Sequence, residues 1–411
     1  MTEQKPKLLV LASTFPRTLN DSEPRFIYDL CIHLMPWFDI TVLVPSYPGA
    51  PPREMMDGLA VVRFRYAPNR LETLAYPGAI MSRIYEKKKR ALLVPGFLLG
   101  MYAAIRKLCK TQKIDVVHAH WLIPQGIIQS LLAKPGSPPY LLTGHGADVC
   151  SLNKGVIKKL KQRAVSKADA MTIVSEYLKN ELLSHYTVNS PLTVCPMGCD
   201  LTAFRKDKHA AGYFKEHYGI NGPVILFVGR LAEKKGVRYL LEALTLEPLK
   251  STAAHVVIAG DGQLREELTK QAGAPELAGR VTFIGSKTHV ELPVIYASAD
   301  VLCAPSITAS DGDKESWGVV IIEAAASGLP VVTTKRGKDE TVLDGKTGFT
   351  VLQKDAAALS VALAKLLNSR EMRKKMGAAA AEYARQFGWE TIAQVYRDIL
   401  NKIIAANGKE V

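Results

Sequence analysis

Short runs of β-branched and other apolar residues alternate along the chain with longer segments in which apolar positions have helical spacing. In the first half, these runs predict strands at residues 8–13, 40–45, 61–64, 115–120, 140–146, 170–175 and 192–196. The second half repeats the scheme, with strands predicted at 223–230, 255–262, 281–286, 300–306 and 330–334. Such alternation is typical of parallel sheets with crossover helices, and it predicts an α/β protein with two doubly wound, Rossmann-like domains.

Chain length supports the same division. A chain of 411 residues exceeds one ordinary hydrophobic core, so two domains are expected. A turn-rich, apolar-poor segment at 196–222 separates the two sets of strands, and we place the domains at 1–200 and 201–388.

Composition limits the cellular setting. No run approaches the roughly 18 uncharged apolar residues that span a bilayer, and the N-terminus leads directly into a strand-like segment, so we expect a cytoplasmic protein. The six cysteines are scattered without a C-x2-C spacing, which indicates reduced thiols rather than disulfides or a zinc site.

The positive charge is concentrated in the first half of the chain. Residues 1–200 carry 25 Lys and Arg against 15 Asp and Glu, a balance of +10 within a total of +14. Basic clusters occur at 83–90, directly before an apolar segment, and at 158–163. Basic residues beside apolar ones suit an anionic membrane surface, although a solvated helix face gives the same pattern. No nucleic-acid-binding motif accompanies the charge.

The most informative segment places two glutamates eight residues apart in the sequence ESWGVVIIEAAASGLPVV, which starts at Glu315. Glu315 lies just before a predicted helix, and Glu323 two turns inside it. Eight residues of helix rise roughly 12 Å, so both carboxylates are expected to face one cleft at different depths. The helix N-terminus attracts anions, so a nucleotide diphosphate-sugar is a suitable ligand.

With its surroundings, this segment resembles the signature of retaining glycosyltransferases of family 4, which have the GT-B fold of two Rossmann-like domains facing a central cleft. Similar elements follow in the expected order along nearly the whole chain. The resemblance implies that the last helix, 389–404, crosses back to the first domain. It also implies that Glu315 orients the donor sugar, that Glu323 binds the ribose, and that Gly318 and Val319 belong to the donor site.

Other second-domain loops resemble the family as well. Arg230 and Lys235 are the cations of a GRL-x3-KG-like element, and fixed cations can neutralise a departing diphosphate without a metal. Gly260 and Gly262 form a G-x-G turn that resembles the family's GDGP element, and it lacks the third glycine of a dinucleotide site. By resemblance, Gly285 and Ser286 are candidates for reaching the nucleobase.

In the first domain, the sequence TGHGADV places His145 just past a predicted strand, with Asp148 three residues later. By resemblance to a TxH element, His145 is the candidate active-site histidine, and a packing histidine is the alternative. His118 and His120 alternate on a strand, and we predict that they point to opposite faces. We favour His120 as supporting structure near the acceptor.

Two departures from the family pattern concern the substrates. The loop at 13–26 contains no glycine and resembles a subset found among exopolysaccharide and colanic-acid-type transferases, so Ser22, Glu23 and Arg25 are predicted to contact the acceptor. In the second domain, Ser316 replaces a common glycine, and RGKDETV at 336–342 replaces GG-x-x-E.

The resemblance therefore implies transfer of a hexosyl group from a nucleotide diphosphate-sugar, UDP-linked first and GDP-mannose second, to a glycan or lipid-linked acceptor. We expect no cofactor and no metal, although Asp311 and Asp313 form a D-x-D that holds metals in another transferase fold. The alternatives are a GT-B-type epimerase and a non-catalytic nucleotide-sugar-binding protein. A dehydrogenase is less favoured, because the glycine motif of a dinucleotide site is incomplete.

Overall fold

The computed structural model describes residues 5–78, 80–205, 212–335 and 341–408. The chain forms two compact units. The first comprises Met1–Pro196 together with Trp389–Val411, and the second comprises Met197–Gly388. Each unit has an α/β core built around its own sheet.

The first unit contains an eight-stranded sheet in the order β3-β4-β2-β1-β5-β6-β7-β8, in which only the β3–β4 pair is antiparallel. Its central strands β1, β5 and β6 are fully or almost fully buried, as their apolar sequences predict. The strands are β1 Lys7–Leu11, β2 Asp39–Pro45, β3 Arg53–Met56, β4 Leu59–Phe64, β5 Val116–His120, β6 Tyr140–Gly144, β7 Ala170–Ile173 and β8 Leu192–Val194.

Helices cover this sheet, and the C-terminal helix packs against α1 through a stacked pair formed by Trp389 and His33. Ser175 caps α7 by accepting a hydrogen bond from the Leu178 N–H. The helices are α1 Phe26–Leu34, α2 Ile80–Glu86, α3 Val94–Thr111, α4 Ile127–Leu132, α5 Ala147–Cys150, α6 Gly155–Lys167, α7 Glu176–His185 and, at the end of the chain, Trp389–Ala406.

The second unit contains a six-stranded parallel sheet in the order β11-β10-β9-β12-β13-β14. Its strands are β9 Val224–Val228, β10 His255–Ala259, β11 Val281–Gly285, β12 Val301–Ala304, β13 Val331–Thr334 and β14 Gly348–Val351. Its helices are α8 Tyr213–Tyr218, α9 Val237–Ala243, α10 Arg265–Ala272, α11 Leu292–Ala297, α12 Val319–Ala326, α13 Ala356–Leu367 and α14 Arg370–Ala384; the C-terminal helix of the first unit is α15.

Every predicted strand is present, and the prediction of Rossmann-like sheets is confirmed. Two short strands were not predicted. Strand β3 pairs with β4 through a turn at Asp57-Gly58, both with positive φ, and an Asp-Gly pair is a sequence signal for such a hairpin. Strand β14 is a four-residue edge strand too short to show a period.

In both sheets the order of the strands reverses beside the first strand of the unit. In the first unit β1 lies between β2 and β5, and in the second β9 lies between β10 and β12. Ligands of open parallel sheets bind at such switch points, outside the carboxyl ends of the strands. The loops after β1, β5, β9 and β12 are therefore where binding side chains are expected.

One helical segment of the first unit bears on the membrane prediction. Among the described residues, Lys88–Thr111 is long and apolar enough to cross a membrane by length and composition alone. The sequence prediction concerned an uncharged apolar run, whereas this segment carries basic residues at both ends. One face of the segment packs inward through Phe97, Met101 and Ile105.

Candidate active site

A cluster of charges lies at the carboxyl ends of β9 and β12 in the second unit. Arg230 follows β9, and a short 3-10 turn at Glu233–Lys235 leads into α9. Lys235 and Glu315 form an ion pair, and their side chains are only 17% and 16% exposed. The structure thus brings together two groups for which the family resemblance implies separate roles, a cation for the diphosphate and a carboxylate for the sugar.

Two further contacts fasten the loop after β12 to the turn at 233–235. Lys234 Nζ lies 2.9 Å from Asp313 Oδ2, and Glu233 accepts hydrogen bonds from the Ser310 N–H and hydroxyl at 3.0 and 2.7 Å. In the backbone, the Ile307 N–H donates to the Lys234 carbonyl. We call these contacts the clasp. It fixes the position from which Glu315 projects.

The electrostatics of the clasp place Arg230 in the same cluster. Burial opposes the charged form of Lys234, but the carboxylates of Glu315 and Asp313 outweigh it and raise the Lys234 pKa above its ordinary value. Repulsion from Arg230 acts in the opposite direction on the same pKa. Lys234 therefore lies close enough to both Arg230 and Glu315 to feel their charges.

Three glycines permit the close backbone approaches on which this cluster depends. A Cβ at Gly236, whose φ is +65°, would meet the Pro305 carbonyl oxygen at 2.0 Å. A Cβ at Gly260 would meet the Gly229 carbonyl oxygen at 1.9 Å, and Gly262 similarly lies against the backbone of Leu231. The G-x-G turn thus positions the segment that carries Arg230.

Glu323 lies in a different environment from Glu315. It is buried in α12, and its Oε2 accepts a hydrogen bond from the Tyr296 hydroxyl at 2.8 Å. Burial, followed by the charge of Glu323, raises the Tyr296 pKa well above its ordinary value. Glu323 is held by an internal partner, and ribose binding stays a prediction.

The helix is shorter than the sequence suggested. It begins at Val319 after Gly318, which has left-handed geometry, so Glu315 lies in the preceding loop and Glu323 one turn inside. The prediction that eight residues of helix separate Glu315 from Glu323 is therefore wrong. Near the end of this loop, the indole N–H of Trp317 donates to the Met197 carbonyl at 3.2 Å.

The remaining donor-side candidates lie at the end of β11. Gly285 is the last residue of that strand, and its carbonyl accepts a hydrogen bond from the Gly260 N–H at 2.8 Å. Ser286 follows and is exposed. Residues 336–340 of the unusual RGKDETV segment lie outside the described residues.

In the first unit, His118 and His120 lie on the same face of β5, and their ring centroids are 4.0 Å apart. The prediction of opposite faces is wrong, because residues two apart on a strand point to the same side. His120 Nδ1 is 3.0 Å from His145 Nε2, and His118 Nε2 is 2.7 Å from Thr143 Oγ1. The hydrogen bond with His120 therefore holds the His145 ring in position.

Desolvation keeps these three histidines neutral, and His118 and His120 are also fully buried, whereas His145 is partly exposed. Desolvation lowers the pKa of His118 and of His145 from 6.5 to about 3, and it lowers the pKa of His120 well below 6.5. A neutral pair shares a single proton in the His120–His145 hydrogen bond. Because Nε2 of His145 is engaged in this bond, Nδ1 is its remaining ring nitrogen for a ligand.

Asp148 organises the loop that carries His145. Its carboxylate accepts hydrogen bonds from the backbone N–H groups of His145, Gly146 and Leu122, at 3.1, 2.7 and 2.9 Å. Burial raises its pKa, and these three hydrogen bonds partly offset the shift. Asp148 joins the loops after β5 and β6 and acts on the site through the backbone.

The three candidates in the glycine-free loop have different surroundings. Ser22 is exposed, whereas Glu23 is buried and accepts a hydrogen bond from the Gly78 N–H at 2.7 Å. Arg25 pairs with Asp29 at 3.1 Å. Acceptor contact by these residues stays a prediction, and Glu23 has a structural partner.

The D-x-D pair is engaged within the protein. Asp311 accepts a hydrogen bond from the Asp313 N–H at 2.9 Å, and Asp313 belongs to the clasp. Within the described parts of the chain, no group of three or more His, Cys, Asp or Glu side chains is arranged to hold a metal ion.

Several residues of these clusters were missed in the sequence. Glu233 and Lys234 directly precede Lys235, and the run EKK alone does not show which lysine meets Glu315. Tyr296 belongs to a helix without a recognisable motif. Phe26 and Trp121 contact His145 in space only.

Comparisons with known proteins agree with both units. The model described as Glycosyltransferase Family 4 matches residues 24–203, and the model described as Glycosyl transferases group 1 matches residues 214–383.

The chain is also similar to whole proteins. It is 31% identical to a GDP-mannose-dependent alpha-(1-6)-phosphatidylinositol monomannoside mannosyltransferase of Mycolicibacterium smegmatis, over 70% of this chain and 76% of the relative. Identity to the Mycobacterium tuberculosis protein of the same name is 29%, over 87% and 94%. Sucrose-phosphate synthase from Thermosynechococcus elongatus has a similar fold, with a TM-score of 0.80, 20% identity, and coverage of 98% of this chain and 100% of that one.

Proposed function

Because the chain belongs to glycosyltransferase family 4, whose members have the GT-B fold, we propose that it transfers a hexosyl group with retention of anomeric configuration to a hydroxyl of a glycan or lipid-linked acceptor. The donor is a nucleotide diphosphate-sugar. The observation that carries the proposal is the cluster of Arg230, Lys235 and Glu315 at the switch point of the second sheet.

Donor binding exchanges partners within this cluster. The diphosphate takes over Lys235 and Arg230, which releases the Glu315 carboxylate from its ion pair to accept hydrogen bonds from sugar hydroxyls. The two cations stabilise the charge that develops on the leaving diphosphate, so we propose that neither a metal nor another cofactor is required. Glu323 is proposed to hold the ribose, next to Tyr296.

For the chemical step we propose the front-face mechanism that the family resemblance implies. The bond between the anomeric carbon and the diphosphate oxygen breaks, and the acceptor oxygen bonds to that carbon on the same face. The leaving phosphate oxygen takes the acceptor's proton. Neutral His145 offers a hydrogen bond on the sugar or acceptor side, and positioning and charge supply the rate enhancement.

We propose GDP-mannose as the first donor to test, since the two mannosyltransferases similar to this chain over most of its length are named for it. This choice reverses the order expected from the sequence, which put UDP-sugars first. Departures at Ser316 and in the glycine-free loop concern the sugar and the acceptor, and they leave the cations of the cluster in place.

We also propose a peripheral location on the inner, anionic face of a membrane. Lys87, Lys88 and Lys89 are exposed, and in the adjoining helical segment Leu92 and Leu99 are 83% and 70% exposed. Apolar side chains that insert between head groups, beside lysines that attract anionic lipids, suit a lipid-linked acceptor.

The test compares thermal shifts with GDP-mannose, UDP-glucose and ADP-glucose, and then follows product formation with the stabilising donor. A donor bound only by the folded protein raises the melting temperature. We expect GDP-mannose to stabilise the protein and sugar to be transferred with retention. An isomerised sugar formed from the donor alone would establish the epimerase instead, and stabilisation without turnover of any donor or acceptor would exclude transfer.

A further inference from the structure

Three aromatic rings meet at the switch point of the first sheet. Phe26 begins α1 after the loop that follows β1, Trp121 directly follows β5, and His145 directly follows β6. These three strands are neighbours in the sheet, and β1 and β5 flank the position where the strand order reverses. The rings therefore lie at the edge where open parallel sheets bind ligands.

The rings contact one another and remain accessible. The Trp121 and His145 centroids are 4.8 Å apart at 39°, those of Phe26 and His145 are 5.4 Å apart, and those of Phe26 and Trp121 are 6.2 Å apart. All three side chains are partly exposed, although buried apolar residues surround their elements. A large aromatic group left partly exposed beside a candidate catalytic histidine presents apolar surface next to a hydrogen-bonding group.

The backbone holds Trp121 in a costly conformation. Its φ is +72° and its ψ is 136°, a region that bulky residues rarely adopt and that costs on the order of 1–3 kcal/mol. Two hydrogen bonds maintain it, from the Trp121 N–H to the Thr143 carbonyl at 2.8 Å and from the Gly126 N–H to the Trp121 carbonyl at 3.0 Å. Strain of this kind concentrates at binding sites, where it directs a side chain that a relaxed strand end would place elsewhere.

From these observations we propose that Trp121 and Phe26 form the subsite for the acceptor's saturated, polyhydroxylated ring, a pyranose or a cyclitol. The C–H face of such a ring packs on the aromatic surface, and its hydroxyls bond to His145 Nδ1 and the Trp121 indole N–H. The proposal rests on the proposed transfer reaction, in which the cations for the donor belong to the second unit and leave this edge to the acceptor.

The test uses Trp121→Phe, Trp121→Leu and Phe26→Leu in the full-length protein. Trp37→Leu is the matched control, because Trp37 is also partly exposed in the first unit but precedes β2, at the opposite edge of the sheet. The probes are methyl α-D-mannopyranoside and myo-inositol, titrated in the presence of GDP and followed by saturation-transfer NMR. GDP affinity is measured separately, and melting temperatures verify folding.

We expect Trp121→Leu and Phe26→Leu to weaken ring binding roughly tenfold while GDP affinity stays within about twofold. Trp121→Phe retains an aromatic face and recovers most of the loss, and Trp37→Leu binds like wild type. With an active acceptor, the loss appears in acceptor KM and not in hydrolysis of the donor by water.

Equal ring affinity in wild type and Trp121→Leu, or no binding of either probe to wild type, would overturn the subsite. So would a parallel loss of GDP affinity, which would indicate a general structural role. Absence of donor turnover by wild type would sink the proposed reaction, and the binding comparison would still report on the subsite by itself.

Discussion

At the scale of single residues, the ion pair between Lys235 and Glu315 joins the two groups that we propose bind the diphosphate and the sugar of the donor. Each group pairs with the other, which avoids an isolated, mostly buried charge. In the proposed reaction, the diphosphate of the donor competes for Lys235 and its sugar competes for Glu315. The pair therefore favours a ligand that carries both parts over either part alone.

Replacing the charged groups of this cluster is expected to reduce the rate strongly. Arg230→Ala and Glu315→Gln should each lower kcat on the order of a hundred- to a thousand-fold, since each removes a fixed charge that stabilises the transition state. Steady-state kinetics measure the effect, with Arg385→Ala, a largely exposed arginine of the same unit, as the control. Near-normal transfer by either variant would show that its role is assigned wrongly.

The buried histidines should make the protein sensitive to acid. The His118 pKa is about 3 in the folded state and 6.5 in the unfolded state. Below pH 6.5, His118 therefore binds a proton in the unfolded chain but stays neutral in the folded chain. Stability is fully present above that pH and falls as pH drops from 6.5 toward 3, by about 1.4 kcal/mol per pH unit for each such group.

Unfolding measured from pH 7 to pH 4 tests this. His118→Gln should reduce the pH dependence by about one proton. The exposed His217→Gln is the control variant and should keep the wild-type dependence. If the unfolding free energy of His118→Gln depended on pH as steeply as that of wild type, the pKa of His118 would not be lowered by folding.

At the scale of elements, the clasp joins the turn before α9 to the loop before α12. Three consecutive side chains, Glu233, Lys234 and Lys235, each hold a different point of that loop, and Trp317 fastens its end. The loop thus has a defined position although it lacks secondary structure. Its position determines where the Glu315 carboxylate lies.

Lys234 should therefore be coupled to Asp313 in donor binding. Lys234→Met, Asp313→Asn and the double variant form a cycle, and we expect a coupling of about 1–2 kcal/mol in the free energy of GDP-mannose binding, measured by calorimetry. The exposed Arg385–Glu382 pair of the same unit should give a coupling near zero in the same cycle. Additive effects at Lys234 and Asp313 would show that the clasp does not position the loop.

At the scale of the whole molecule, most of the net positive charge lies in residues 1–200, and the helical segment Lys88–Thr111 combines exposed lysines at its start with exposed apolar side chains. Phe97 and Met101 attach the segment to the core, whereas Leu92 and Leu99 remain exposed. A chain with a net charge of +14 is attracted to anionic surfaces in general, and exposed apolar side chains favour a lipid surface.

Vesicle co-sedimentation tests this location. Lys88→Glu with Lys89→Glu should weaken binding to phosphatidylglycerol vesicles by about tenfold or more, because each lysine near such a surface contributes about 1 kcal/mol. Lys374→Glu with Lys375→Glu, two adjacent exposed lysines of the second unit, is the matched control with the same change of charge. An equal loss of vesicle binding in the two double variants would mean that only the net charge of the protein matters, and not the position of Lys88 and Lys89.

Local patterns in the sequence determined the elements. Apolar runs indicated the strands, because a buried parallel strand needs apolar side chains on both faces, and glycines next to cations indicated the loops that follow them. The sequence did not predict the short strands β3 and β14, because four residues are too few to show a period. It also did not predict the start of α12 at Val319, because only the backbone geometry of Gly318 marks the end of the preceding loop.

Which side chains meet was decided by tertiary structure. His118 and His120 share a face by the simple geometry of a strand, but the contact of His120 with His145 depends on the pairing of β5 with β6. Lys235 reaches Glu315 across 80 residues of sequence, and Trp121 reaches Phe26 across the switch point, because crossover connections bring distant strand ends to one edge. The sequence by itself determined the family, the two sheets and the charged residues; only the fold determined their partners, because contact depends on distances that spacing along a chain does not contain.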